Sequence, residues 1–382
     1  MPFPHMISFM LNMVRQITQT ALDRFFELIG RSDIHMSQQA FSEARQKLKW
    51  EACRELMDAT VNNVYSGGYS TWHGYRVWAV DGSKVQLPSI PELTQEFGST
   101  GRGEGAATAQ VSCLYDVLND IIADAYLEPI GTDERTLCLR HLKRLRGMES
   151  FEKELVILDR GYPSAELIEA FWEAGTRFLM RVRRKFSCDI DNMPLGDHRY
   201  ALPTNGVQMP LRVVKFLLPS GETETLITDL FDKRMGTNAF KTLYFKRWPV
   251  ETKYGELKHK LEVENFSGRT KEALLQDYYI TAYLSNIIAV AANETQPVID
   301  DIREDSDNIY DYKVNKSHAV GVFKDRFIMA LLEDSNRRRA RVAQRILFLL
   351  AYRPTPIRPE RSVRRNPCPR RAHFHFNHKS NC

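Results

Sequence analysis

Cysteine is sparse in this chain: six residues (Cys53, Cys113, Cys138, Cys188, Cys368 and Cys382) lie scattered over 382 positions with no close Cys-x-x-Cys pair. That argues against a disulfide framework or a ribbon-type zinc site and fits a reducing cytosol. The first residues, "MPFPHMISFMLNMVRQ", lack a basic lead followed by a long apolar core, so no signal peptide is read. The most apolar later run, "YLSNIIAVAA" (283–292), is too short to span a bilayer. The glycine-rich stretch "FGSTGRGEG" (97–105) lacks the closing Gly-Lys-Ser/Thr of a nucleotide phosphate loop and reads as plain loop. No internal repeat is visible. These absences leave a cytoplasmic, non-membrane protein, long enough for two or three domains, with 43% hydrophobic and 26% charged residues.

Charge is present but unevenly placed. The net value is only +5, yet from Arg337 onward thirteen Lys or Arg stand against the single acid Glu360. Such a segment cannot bury a core. It reads either as an arm that binds polyanions by displacing their counterions or as a solubilising tail. His373, His375 and His378 with Cys368 and Cys382 match no standard zinc spacing.

Along the chain, residues 1–70 show the three- and four-residue apolar steps of amphipathic helices, broken at Gly30, with Ser37 as a cap and "SGG" as a stop. This helical domain serves either DNA-end binding or packing, with no groove-reading motif to decide. Residues 71–184 change texture. A short strand, "VWAV", ends at Asp81-Gly82, and two more strands meet at Asn119-Asp120. A helix follows, with Thr132 as its cap, and then a buried strand "ELVIL" ending at Asp159. Another helix and the strand "TRFLMRVRR" complete a mixed α/β sheet layer. Residues 185–243 read as a β-rich insertion, 244–335 as the rest of the core with long helices, and 336–382 as a basic, Pro/Arg-rich helix and tail.

The stretch "YFKRWPVETKYGELK" holds the densest chemistry. At about 100° per residue, Tyr244, Arg247, Glu251 and Lys258 fall within an arc of roughly 60° and would form one polar stripe on a single helix. Pro249 either starts that helix or bends it. Trp248, beside Arg247, reads either as a ring for stacking on a ligand or as a helix-start core anchor. A solvated salt-bridged face is the plain reading of such a stripe. The richer one adds Asp81 and Asp159, both at carboxyl ends of strands, where α/β sheets place ligand sites. Three carboxylates without cations would repel one another, and hard divalent ions between them would remove that cost. Two such ions suit in-line displacement at phosphorus, with Arg forking onto phosphate oxygens and Lys acting as a point charge.

The blocks "AVDGSKVQLP", "VILDRGYPS" and "FKRWPVE", with Tyr, Arg, Glu and Lys spaced by two, three and six intervening residues, resemble the bacterial insertion-sequence transposases of family four. The resemblance spans roughly residues 75–290. It implies a ribonuclease-H-like core with helices on both faces of the sheet, interrupted by a β-rich insertion. It implies that Asp81, Asp159 and Glu251 bind two Mg2+, with Mn2+ as a substitute. Tyr244, Arg247 and Lys258 would handle DNA phosphate; Arg160 and Tyr162 would touch DNA or orient Asp159. The implied activity is cut-and-paste transposition on double-stranded DNA carrying inverted-repeat ends, by a homodimer on the DNA. A stand-alone nuclease and a non-catalytic DNA-binding descendant are the alternatives.

Overall fold

A computed structural model describes residues 1–12, 17–100, 106–148, 153–204, 207–304 and 309–358. The basic tail from 359 on and the centre of the glycine-rich loop lie outside these residues. In chain order the helices α1 (Phe3–Asn12), α2 (Thr18–Leu28), α3 (Gln38–Arg45) and α4 (Trp50–Ser66) come first. Strand β1 (Arg76–Gln86), helix α5 (Pro91–Phe97), and strands β2 (Thr108–Asp116) and β3 (Ile121–Pro129) follow. Next are α6 (Glu134–Gly147), β4 (Glu154–Leu158), α7 (Ala165–Ala174), β5 (Arg177–Arg181) and α8 (Cys188–Asn192). Strands β6 (Gly196–Thr204), β7 (Val207–Leu217) and β8 (Thr223–Thr228) lead to α9 (Thr237–Phe245) and α10 (Pro249–His259). The chain continues through α11 (Lys271–Glu304), β9 (Tyr312–Lys313), α12 (Lys316–Leu332), α13 (Asn336–Tyr352) and β10 (Thr355–Pro356).

The chain divides into two compact units. One comprises Met1–Gly67, Val85–Ala109 and the chain from Gly255 on; the other comprises Gly68–Lys84 and Gln110–Tyr254. In the first, α1 to α3 pack around Phe9, Leu22, Phe25 and Phe41, all buried, with Phe9 edge-on to Phe25 and Phe41. Helix α4 lies along α11, where Trp50 stacks on Tyr279. Arg45, 5% exposed, ends α3 by binding Gln276, Ser267 and Asp277. No helix of the described residues is long and apolar enough to cross a membrane.

The second unit is built on one eight-stranded sheet of order β3-β2-β1-β4-β5-β8-β7-β6. Strands β2 and β3 are joined by a tight turn in which Asp120 takes φ 61°, so they run antiparallel. Buried Asp116 makes that turn, its carboxylate accepting from the amides of Leu118 and Asn119 and from the Asn119 side chain. Strand β4 is parallel to both β1 and β5, and β8 turns antiparallel on β5. The residues of β4 after Glu154 are fully buried, which is why that run is continuously aliphatic rather than alternating. Glu154 at its start bonds both Arg76 and the Trp78 indole of β1 and fixes the pairing of these two strands.

Two expectations need revision here. Strand β1 does not stop at Asp81 but runs five residues farther, because Val85 is still buried and gives the strand a core to face. The β-rich segment within 185–243 adds β6, β7 and β8 to the edge of the same sheet. The first helix after the hairpin is capped by Asp133, one residue past Thr132; its carboxylate accepts from the amides of Arg135 and Thr136.

Candidate active site

Strand pairing brings the two aspartates near each other. Arg76 lies opposite Glu154 and Ala79 opposite Ile157 on parallel β1 and β4. Asp81 follows two residues on within β1, and Asp159 stands one residue past the end of β4, near enough to push the Asp81 carboxyl up. Asp81 is steered by the Gly82 amide, which donates to Oδ1 at 2.9 Å. Asp159 heads a turn and accepts from the Gly161 amide at 2.7 Å. Arg135, from α6, donates to the Gly161 carbonyl at 3.1 and 3.3 Å and holds that turn in place.

Glu251 arrives on α10, and the single stripe expected of one helix is in fact divided. Tyr244 closes α9, residues 246–248 form a turn, and Pro249 opens α10, where its missing N–H costs nothing. Of the two roles open to Pro249, helix start is the observed one. Trp248, in the turn that precedes Pro249, is 50% exposed and so is not a core anchor. Helix α10 is moored by two contacts. The Tyr254 hydroxyl donates to the Asp81 carbonyl at 2.6 Å, and buried Lys253 pairs with Asp120 at 2.6 Å. Neither residue stood out in the sequence, since a lysine and a tyrosine next to each other on a helix signal nothing by type.

Arg247 links the carboxylates. Its guanidinium lies 2.8 Å from Glu251 Oε1 and 3.5 Å from Asp81 Oδ2. Burial pushes the Asp81 carboxyl up to about 6; Arg247 and the Gly82 amide pull it down, while Asp159 and Glu251 push it further up. Burial likewise drives the Tyr244 hydroxyl up to about 12, against the pull of Arg247. Tyr244 therefore stays a protonated donor at neutral pH.

One further residue occupies a different position from that expected of a DNA contact. Tyr162 is 1% exposed, which leaves its ring no surface for DNA; orientation of the Asp159 turn is the role its position fits, its amide donating to the Asp159 carbonyl at 3.3 Å. Arg160 is exposed. Lys258 lies seven residues beyond Glu251 on α10, about two turns along the same helix face.

The donor set suits a hard divalent cation: oxygen ligands only, from carboxylates whose mutual repulsion is relieved by one guanidinium. Among the described residues no three Asp, Glu, His or Cys side chains stand close enough to share an ion as they are. Arg247 fills the space between Asp81 and Glu251 and acts there as the stand-in cation. A fourth acid, Glu134, went unread in the sequence because it sits in the capped first turn of α6, where acids are common helix chemistry.

Residues 72–287, more than half of the chain, match the family model described as the transposase DDE domain. InsG, the transposase for insertion sequence element IS4 of Escherichia coli (strain K12), is 25% identical over 288 residues. The aligned stretch covers 68% of this chain and 64% of that relative, short of two thirds of the relative's length. A solved piggyBac transposase synaptic complex with hairpin DNA aligns over 91% of this chain and 75% of that one. Its 11% identity and TM-score of 0.45 are too loose to carry an argument.

Proposed function

We propose, for a chain that belongs to the transposase DDE domain family, that it is a DNA transposase that cuts and rejoins phosphodiester bonds at the inverted-repeat ends of an insertion sequence. The observation that supports this reading is that Asp159, just past β4, lies near enough to Asp81 of β1 to raise its carboxyl, while Arg247 joins Asp81 to Glu251. The strand order β3-β2-β1-β4-β5, with β4 parallel to its neighbours, supports a ribonuclease-H-like core.

Asp81, Asp159 and Glu251 would hold the divalent ions, Mg2+ or Mn2+, as a pair. Bound there, such ions supply activation of a water or 3′-hydroxyl and relief of charge on the departing oxygen. Below about pH 6 Asp81 has to give up its proton to join them. Arg247, released from the two carboxylates, has the fork to grip phosphate oxygens, and Lys258 offers a point charge farther along α10. Tyr244 donates its hydroxyl hydrogen. The partner is double-stranded DNA, held by Lys and Arg through its phosphates, and cutting two ends in concert calls for a homodimer.

The test is a strand-transfer assay on DNA that carries the element's own ends. Mg2+-dependent products containing joined ends are expected. Hydrolysis without joining would favour a nuclease, and binding without either would favour a non-catalytic descendant.

A further inference from the structure

Glu134 lies outside the three-carboxylate set, and its placement is unusual for a surface acid. Its Oε1 accepts from Gln110 Nε2 at 3.1 Å. That pair sits directly over Gly82, next to Asp81: a Cβ on Gly82 would lie 2.5 Å from Glu134 Oε1 and 2.6 Å from Gln110 Nε2. The bare glycine is what lets the carboxylate close on β1 beside Asp81. A second observation comes from Tyr162. Its hydroxyl is buried, has no hydrogen-bond partner among the described residues, and lies in the field of Glu134, Asp81 and Asp159 together. A lone buried hydroxyl costs free energy unless something else satisfies it. Glu134 is also raised from its ordinary value, first by burial and next by Asp159.

Resting on the function proposed above, we infer that Glu134 is a fourth acidic member of the divalent-cation site, held there by Gln110, with Gly82 as the space it requires. Tyr162 supplies a hydroxyl to the same site, donating to a carboxylate or to an ion-bound water. Glu134 is thus a binding or positioning group for the cation rather than a plain helix-start residue. Loss of such a supporting carboxylate typically weakens metal affinity by about 10- to 100-fold.

Mn2+ alone is the probe, titrated into the full-length protein and followed by the electron paramagnetic resonance of free Mn2+. Glu134→Gln keeps an acceptor for Gln110 and should bind Mn2+ about tenfold or more weakly than the wild type. Gly82→Ala pushes only the ends of two flexible side chains, so it should fold and shift affinity in the same direction. The double variant should be no weaker than the more affected single one. Asp159→Asn is the reference that loses Mn2+. Wild-type affinity in both Glu134→Gln and Gly82→Ala, with Asp159→Asn deficient, would overturn this inference and leave the three-carboxylate site standing. No Mn2+ binding by the wild type would overturn both.

Discussion

Arg247 and Asp81 stand 3.5 Å apart, and the same guanidinium reaches Glu251 at 2.8 Å, so one arginine neutralises an acid from the sheet and an acid from the helix. The arginine therefore balances the charge of both acids, and several outcomes follow from changing it or adding an ion.

Replacing Arg247 with Gln should destabilise the protein in EDTA. Breaking a buried pair by removing one partner costs about 3–5 kcal/mol, and the 40% exposure of the Glu251 side chain lowers the expected figure here to about 1–3 kcal/mol. Mn2+ should then restore more stability to the variant than to the wild type. Thermal melts with and without Mn2+ measure both effects; equal recovery would show that guanidinium and ion do not share a place.

Asp81 gives a pH signature. Its folded value near 6 lies above the ordinary carboxylate value of 3.8, so the folded state binds the proton more tightly than the unfolded chain does. Its contribution to stability is therefore full at low pH and is lost as pH rises from about 4 to about 6. Asp81→Asn should remove that slope and melt higher than the wild type at pH 7 in EDTA, with the difference closing near pH 4. Mn2+ affinity of the wild type should rise as pH passes about 6. A variant that melts lower at pH 7 would mean the carboxylate is stabilised, not strained, by its surroundings.

Each of Asp81→Asn, Asp159→Asn and Glu251→Gln should lose metal-dependent cleavage while retaining affinity for end DNA. Gel shift and cleavage on one labelled fragment read the two properties side by side. Cleavage surviving in any of the three would remove that residue from the chemistry.

DNA affinity should fall steeply with salt, by orders of magnitude between low and moderate ionic strength, as several phosphate contacts require. Removing residues 359–382, which carry Arg361, Arg364, Arg365, Arg370, Arg371 and Lys379, should flatten that slope without ending cleavage. An unchanged slope would leave the tail a solubilising segment.

The sequence displayed the acids more clearly than the frame that joins them. Asp81, Asp159 and Glu251 were singled out from short local blocks, although Asp81 lies inside β1 rather than at its end. The division between α9 and α10 was only half legible: Pro249 marked the boundary, yet the periodic stripe from Tyr244 to Lys258 suggested one helix. Periodicity cannot report a three-residue turn whose length keeps the residues nearly in phase. The continuation of β1 past Asp81 was hidden because Asp-Gly is strong turn chemistry, and only the buried Val85 beyond it overrides that signal. Glu134, Gln110, Lys253 and Tyr254 were invisible for a common reason. Each matters through a contact with a residue far away in the chain, and single-residue type carries no record of that.

The most direct measurement is anomalous diffraction from crystals of the protein grown with Mn2+ and a DNA end. Manganese peaks ringed by the carboxylates of Asp81, Asp159 and Glu251, with Arg247 turned from them toward a phosphate, are the expected result. Peaks elsewhere, or none while Arg247 still bridges the two acids on bound DNA, would contradict a metal-dependent phosphodiester site at this place.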